Sequence, residues 1–160
     1  MDTRFDDLWG KPQKLGTPLA AVWVKAKTRE AIFAGLFARH ACATSGARII
    51  LDVQADGHGM GEEYQADSAL VFKVLVAGTG AIKQVSIKRV VAKRFSWGDK
   101  VPDERDRSET IYSPHLEAGQ RDAEFSVGYP GHAQTAYYYV LVLQEDGEQA
   151  VSSPILILGK

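Results

Sequence analysis

One helix is predicted near the start of the chain, over about residues 28–43. Apolar residues there recur at the i, i+1, i+4 and i+5 spacing of one helical face, a stripe that His40 would continue; they are Ile32, Phe33, Leu36 and Phe37. Thr28 can cap the first turn, and Thr44, Ser45 and Gly46 are typical of a helix end. The pattern therefore predicts one amphipathic helix.

After Gly46 the apolar positions change to a strand-like alternation. Strands are predicted over residues 48–53, 70–77, 82–90 (with a bulge), 109–112, 123–127, 136–144 and 149–158. Pro154 cannot donate to a ladder, so the last strand should lie at an edge or be bulged. Residues 19–24 form a short apolar run, which is either an edge strand or an extended lead-in.

The expected fold is mainly β. About seven short strands separated by frequent turns are typical of an immunoglobulin-like antiparallel β-sandwich, here preceded by one helix. The change of period divides the chain into residues 1–46, an irregular lead-in with a junction helix, and residues 47–160, the sandwich domain.

Charge and composition exclude several classes of protein. The 160 residues carry 19 Lys and Arg against 20 Asp and Glu, a net charge of −1, so no basic excess points to nucleic acid. No apolar run approaches the roughly 20 residues of a membrane span, and no membrane partner is expected. The N-terminus lacks a signal pattern, and the lone Cys42 slightly favours the cytoplasm.

The residues capable of catalysis do not form a recognisable motif. None of the four histidines pairs at a metal-ligand spacing, although His58, Glu62 and His115 remain one alternative as the metal site of an autonomous enzyme. Residues 57–61 are glycine-rich but open no helix, which favours a hairpin over a phosphate cradle. Cys42 lacks a catalytic signature and is expected to be buried. No catalytic, metal-binding or cofactor-binding residue is predicted in this chain.

Aromatic residues offer a second alternative, a small-ligand or carbohydrate-binding surface. Tyr137 and Tyr139 should share one face of their strand, while Tyr138 should share the other with Ala136 and Val140. The candidate ligand surface comprises His58, Trp97, Tyr112, Tyr137 and Tyr139.

Three stretches of the chain carry a family resemblance. Residues 17–53 read TPLAAVWVKAKTREAIFAGLFARHACATSGARIILDV, residues 56–61 read DGHGMG, and residues 138–155 read YYVLVLQEDGEQAVSSPI. In this order they resemble the strings LTAVWA, TREAIWDAL and RRCYATTGARILLDF, then NGxPMG, then YYVRVxQxDGxxAWSSPIW. These strings belong to a bacterial family of unknown function related to metal-dependent phosphoesterases of the polymerase-and-histidinol-phosphatase (PHP) type. The resemblance covers about residues 15–158, with local departures at His40, where Arg is usual, and at Val151, where Trp is common.

The resemblance implies that this chain is an accessory part of a larger enzyme. In that family the matching segment follows a distorted α/β barrel, whose His, Asp and Glu residues hold divalent metals. None of those metal motifs occurs here, so the expectation is a non-catalytic module that supports the barrel, oligomerisation or substrate access. Its partner would be the upstream barrel or a second copy of the chain. The candidate interface comprises Trp23, Ile32, Phe33, Leu36 and Phe37.

Overall fold

The computed structural model describes residues 18–66, 69–92, 108–130 and 134–159. Within this part of the chain there is one helix, α1, at Arg29–Phe37. The strands are β1 (Leu19–Val22), β2 (Ala41–Thr44), β3 (Ile50–Ala55), β4 (His58–Gly59), β5 (Glu63–Gln65), β6 (Leu70–Ala77), β7 (Ile82–Val91), β8 (Ser108–Tyr112), β9 (Asp122–Tyr129), β10 (Ala136–Gln144), β11 (Gln149–Ser152) and β12 (Ile155–Leu158).

The strands form two sheets, which confirms the mainly β prediction. The larger sheet has the order β1-β2-β11-β10-β12-β5, with β7 pairing β10 and β8 pairing β7. The smaller sheet has the order β4-β3-β6-β9. The pairings are antiparallel except that of β12 with β5. The described residues contain twelve strands rather than the expected seven or so. Short strands such as β4 and β5 were not predicted, and the predicted strand at residues 149–158 is divided into β11 and β12.

The inner faces of the two sheets share one hydrophobic core. Alternate residues of β3 and β6, such as Leu51 and Phe72, are almost fully buried against alternate residues of β7 and β10, such as Ile87 and Val140. The rings of Phe72 and Tyr138 meet across the sheets, with centroids 5.3 Å apart. Each such side chain contributes about 1.5–3 kcal/mol by burial. As the alternation predicts, Tyr138 is buried and Tyr137 exposed.

The helix is shorter than the sequence pattern predicts. It begins after the Thr28 cap, whose side chain accepts from the Ala31 N–H, but it ends at Phe37 rather than near residue 43. Arg39 has a φ of 60°, which the helix cannot continue through. Residues 41–44 form β2 instead, because they pair with β1 on one side and β11 on the other. Part of the predicted lead-in therefore belongs to the larger sheet, and the boundary at residue 46 stays a prediction.

The C-terminal strand is divided at Pro154. β11 and β12 pair with different parts of β10, and Ser153 and Pro154 separate them. Of the two predicted alternatives, an irregularity at Pro154 is the one observed, since β12 lies between β10 and β5 rather than at an edge. The predicted bulge in β7 is confirmed by a register shift between Ile87 and Lys88. Of the two alternatives for residues 19–24, the edge strand is the one observed, as β1 at Leu19–Val22.

Gln144 fastens the turn between β6 and β7 to the larger sheet. Its side chain is 1% exposed, and its Oε1 accepts from the backbone N–H groups of Thr79 at 2.8 Å and Gly80 at 3.1 Å. Its Nε2 donates to Asp146 Oδ1 at 3.1 Å. One buried amide therefore satisfies the backbone of a turn about 65 residues away in sequence.

Candidate functional site

The helix α1 contacts the sandwich through its smallest residue. Gly35 is the buried residue of the helix, and a Cβ built on it would lie 2.8 Å from Val22 Cγ1 and 3.0 Å from Val24 Cγ1. At 100° per residue, Phe33 and Phe37 then point directly away from this contact. They are 69% and 84% exposed, and their rings stack with centroids 6.4 Å apart. The outermost surface of the helix is therefore an aromatic pair in contact with solvent.

The other predicted interface residues lie beside this pair. Ile32 and Leu36 are 43% and 48% exposed on the flanks of the helix. Trp23, 45% exposed, follows β1, and its indole Nε1–H donates to Leu51 O at 3.1 Å, which fixes the ring against β3. We call these five residues the helix face: Trp23, Ile32, Phe33, Leu36 and Phe37. The large apolar residues of α1 therefore lie on a face turned away from the sheets, and exposed apolar patches of this kind mark interaction surfaces.

An apolar groove lies beside β1. It has a volume of about 430 Å³, and it opens between the edge of the larger sheet and the segment that enters β3. Its lining is almost entirely apolar and comes from residues 19–23, Cys42, Thr44 and residues 47–51. Trp23 belongs both to this groove and to the helix face, so the two features adjoin.

A polar bridge joins the far end of the helix to the turn between β4 and β5. Glu62 Oε2 lies 3.0 Å from His58 Nδ1, and Glu62 Oε1 lies 3.8 Å from His40 Nε2. The hydrogen bond with His58 lowers the pKa of Glu62. His58 also stacks on Tyr64, with centroids 4.0 Å apart. The Tyr64 hydroxyl donates to Asp56 Oδ2 at 3.1 Å, and burial raises the pKa of Tyr64.

The predicted metal site comprised His58, Glu62 and His115, and His115 does not take part in this polar bridge. His115 is exposed in the segment that follows β8, away from the β4–β5 turn in the pairing of strands. Within the ranges that the structure describes, no three His, Cys, Asp or Glu side chains converge closely enough to hold a metal ion. Cys42 lies in β2 rather than on the helix, and its burial raises the pKa of the thiol. A thiol that is hard to ionise is a poor nucleophile.

The candidate aromatic ligand surface is divided by the sandwich. Tyr137 and Tyr139 lie on the outer face of β10, where Tyr137 is 39% exposed. Tyr112 packs towards the core, with its ring centroid 5.5 Å from that of Phe125. Trp97 lies outside the described residues. The structure thus brings two of the predicted aromatic residues together and separates Tyr112 from them.

Sequence reasoning missed two polar contacts. His40 was assigned to the helical stripe, although its side chain faces Glu62. Arg89, with a side chain only 6% exposed, pairs with Glu109 at 2.6 Å, and its guanidinium also interacts with the buried Tyr138. The only available signal for Arg89 was its place in the alternation of β7, where it falls on the core-facing side. In the described part of the chain, no helix has the length and apolar character needed to cross a bilayer.

Comparisons with known proteins connect this chain to proteins without an assigned activity. Residues 9–81 match the model of a family described as "Protein of unknown function (DUF3604)". An uncharacterized protein of Chlamydia pneumoniae is 31% identical over 163 residues, covering 96% of this chain and 25% of the relative. An uncharacterized protein of Chlamydia trachomatis serovar D is 30% identical over 154 residues, covering 91% and 23%. The chain spans about a quarter of the length of these relatives. No solved structure matches the chain.

Proposed function

We propose that this chain is a non-catalytic accessory β-sandwich module of a larger PHP-like metal-dependent hydrolase, and that it supports the barrel of that protein. One observation carries the proposal: an exposed, largely apolar helix on a chain that aligns with only a quarter of its relatives' length. The PHP relationship and the immunoglobulin-like character of the sandwich rest on the sequence resemblance and pattern. The cytoplasmic compartment likewise rests on the lone cysteine.

The exposed aromatic pair is the energetic argument that this module docks against the barrel. Phe33 and Phe37 leave most of their side-chain surface in water. An aromatic side chain buries about 150–250 Å², so covering the exposed 69% of Phe33 and 84% of Phe37 would contribute roughly 6–10 kcal/mol gross at about 25 cal/mol/Å². A solvent-exposed helix with this composition gains little stability from packing of its own. The free energy is recovered if another domain covers the helix.

The residues with catalytic potential support an accessory role. Cys42 is buried and difficult to ionise, and His115 lies apart from the His58–Glu62 pair. In this proposal the divalent metals are held by the barrel of the parent protein, as the resemblance implies. This chain contributes surface for docking rather than reacting groups.

A phosphoesterase assay tests the proposal directly. The 160-residue chain, supplied with Mn²⁺ or Zn²⁺ and p-nitrophenyl phosphate, should show no turnover, whereas the full-length product of the gene should hydrolyse a phosphoester. Turnover by the chain alone that disappears in His58→Ala would overturn the non-catalytic role. An upstream reading frame without histidine-rich metal motifs would remove the PHP-like parent.

A small-ligand or carbohydrate-binding function is the second candidate, favoured by the exposure of Tyr137 next to Tyr139 on the outer face of β10. A flat aromatic surface can stack against the apolar face of a sugar ring. Binding on a glycan array that is lost in Tyr137→Ala and kept in Tyr112→Phe would support this function. An array with no binding would count against it.

A further inference from the structure

We infer that the helix face docks into an apolar groove with an acidic rim, formed by another part of the same longer polypeptide. This inference rests on the proposed function and adds to it the chemistry of the surface that receives the helix. Three observations support it. They are the charges near the helix face, the like charges that a symmetric dimer through this face would bring together, and the length of the relatives.

Four cations lie beside the helix face in the sequence, two before α1, one in its first turn and one just after it. Lys25, Lys27, Arg29 and Arg39 are exposed, and we call them the basic rim. Residues 25–40 contain a single acidic residue, Glu30, although the whole chain has a net charge of −1. None of the ion pairs seen in the described ranges involves the basic rim. The nearby Glu62 is already bridged to His40 and His58. Among the residues that the structure describes, the rim is therefore a local concentration of positive charge without a compensating ion pair.

The basic rim argues against a second copy of the chain as the occupant. A two-fold dimer through the helix face would bring the same patch of both copies together. Eight cations would then surround one apolar contact, against two copies of Glu30. Like charges at close range oppose association, and complementary charges favour it. The receiving surface should accordingly carry Asp or Glu around an apolar groove.

The length of the relatives argues for a surface in the same polypeptide. Both chlamydial proteins extend about three-quarters of their length beyond the aligned part. A tethered groove is present at high effective concentration, so one short helix can be held by a small apolar contact. Phe33 and Phe37, stacked and pointing outward, would insert first, and the basic rim would fix their orientation.

The reactivity of a single thiol tests the inference. Cys42 is the only cysteine and is buried, so Ala34→Cys adds one accessible thiol on the helix without removing either phenylalanine. We expect this thiol to react with an iodoacetamide dye about tenfold more slowly in the full-length gene product than in the 160-residue chain. Val71→Cys, exposed on the smaller sheet, should react equally in both.

Two further variants separate docking from its electrostatics. In the full-length product with Ala34→Cys, Phe33→Ser with Phe37→Ser should restore fast reaction. Lys25→Glu with Lys27→Glu should restore most of the reactivity, whereas Lys73→Glu on the smaller sheet should have no effect. Protection should also weaken with added salt, because the rim contacts are screened.

Each outcome decides one of the two proposals. Equal reactivity of the helix thiol in the short and full-length proteins would overturn the docking function as a whole. If the helix thiol of the full-length product stays protected both after the charge reversal and at high salt, the acidic rim is wrong and the docking function stands. If phosphatidylserine vesicles slow the reaction of the helix thiol in the 160-residue chain, or if that chain sediments as a dimer with a slowly reacting thiol, then a membrane or a second copy covers the helix face. Either result would overturn the acidic-rimmed groove as the surface that covers it. So would a gene with no coding sequence beyond these residues.

Discussion

Replacing Gly61 by alanine should loosen the contact between the β4–β5 turn and the end of the helix. Gly61 has a φ of 84°, and a Cβ there would lie 2.6 Å from Arg39 O and 2.5 Å from Arg39 Cβ, and it would also strike Ala38 O. These atoms belong to the backbone or adjoin it, so no rotamer change relieves the overlap. The chain must move either the turn or the residues that end α1.

The expected loss has two parts. The left-handed conformation costs an alanine about 1–2 kcal/mol. Insertion of a methyl group into a packed contact adds about 1–3 kcal/mol. Gly57 provides the matched control, because its φ is 87° and nothing lies within 4 Å of its virtual Cβ. Gly57→Ala should therefore show the conformational part alone.

Urea unfolding followed by far-UV circular dichroism measures both variants. Gly61→Ala should lose about 2–5 kcal/mol of unfolding free energy and Gly57→Ala about 1–2 kcal/mol. In a chain of this size the difference of about 1–3 kcal/mol corresponds to a separation of roughly 2–12 °C in Tm. If the two variants unfold within about 0.5 kcal/mol of each other, the turn does not press on the helix end, and the positioning argument is wrong.

Three further perturbations probe the polar contacts. Gln144→Leu leaves two N–H groups of the turn without their acceptor and should lose about 2–3 kcal/mol of unfolding free energy in urea, whereas Gln65→Leu, at an exposed position on β5, should lose less than about 0.5 kcal/mol. Arg89→Met should leave stability unchanged or raise it, because burial penalises the charged guanidinium and Glu109 is exposed enough to be solvated without it, while Glu109→Gln should lower stability; a large loss in the former would contradict this. The hydrogen bond with His58 holds the pKa of Glu62 below its usual 4.5. The ionised Glu62 therefore stabilises the folded chain above pH 4.5, and this stabilisation is lost as the pH falls through the lowered pKa. The urea midpoint of Glu62→Gln should accordingly fall below that of the parent chain at about pH 6, and the two should converge as the pH falls through the lowered pKa.

The long strands were predictable because their pattern and their surroundings agree. Residues 136–144 alternate between core and surface, and β10 has the same limits in the structure. By contrast, residues 41–44 read ACAT, which carries little strand preference, and they were assigned to the helix. Their strand conformation depends on β1 and on β11, and β11 lies more than 100 residues later. A pattern confined to neighbouring residues cannot contain that information.

The candidate site likewise contains residues that local spacing predicts and contacts that only the tertiary fold creates. The apolar residues of α1 were evident from their spacing, and the structure adds that they remain exposed. The bridge from His40 through Glu62 to His58 joins the helix end to a turn 22 residues later, and it depends on the fold of both segments. Burial of Arg89 against Glu109 requires the β7–β8 pairing, which follows a long interval of sequence.

The exposure of the helix follows from how the helix is held. On one side Gly35 lets the helix backbone approach Val22 and Val24, and at its end Gly61 lets the turn approach Ala38 and Arg39. Both contacts are made at glycines, so they fix the position of α1 without using its large side chains. Most helices are held by burying leucine and phenylalanine, which leaves few of them for another surface. Here Phe33 and Phe37 remain outside on a helix whose orientation is already fixed. A preorganised aromatic pair loses little further freedom on docking, and this is the property that an interdomain contact requires.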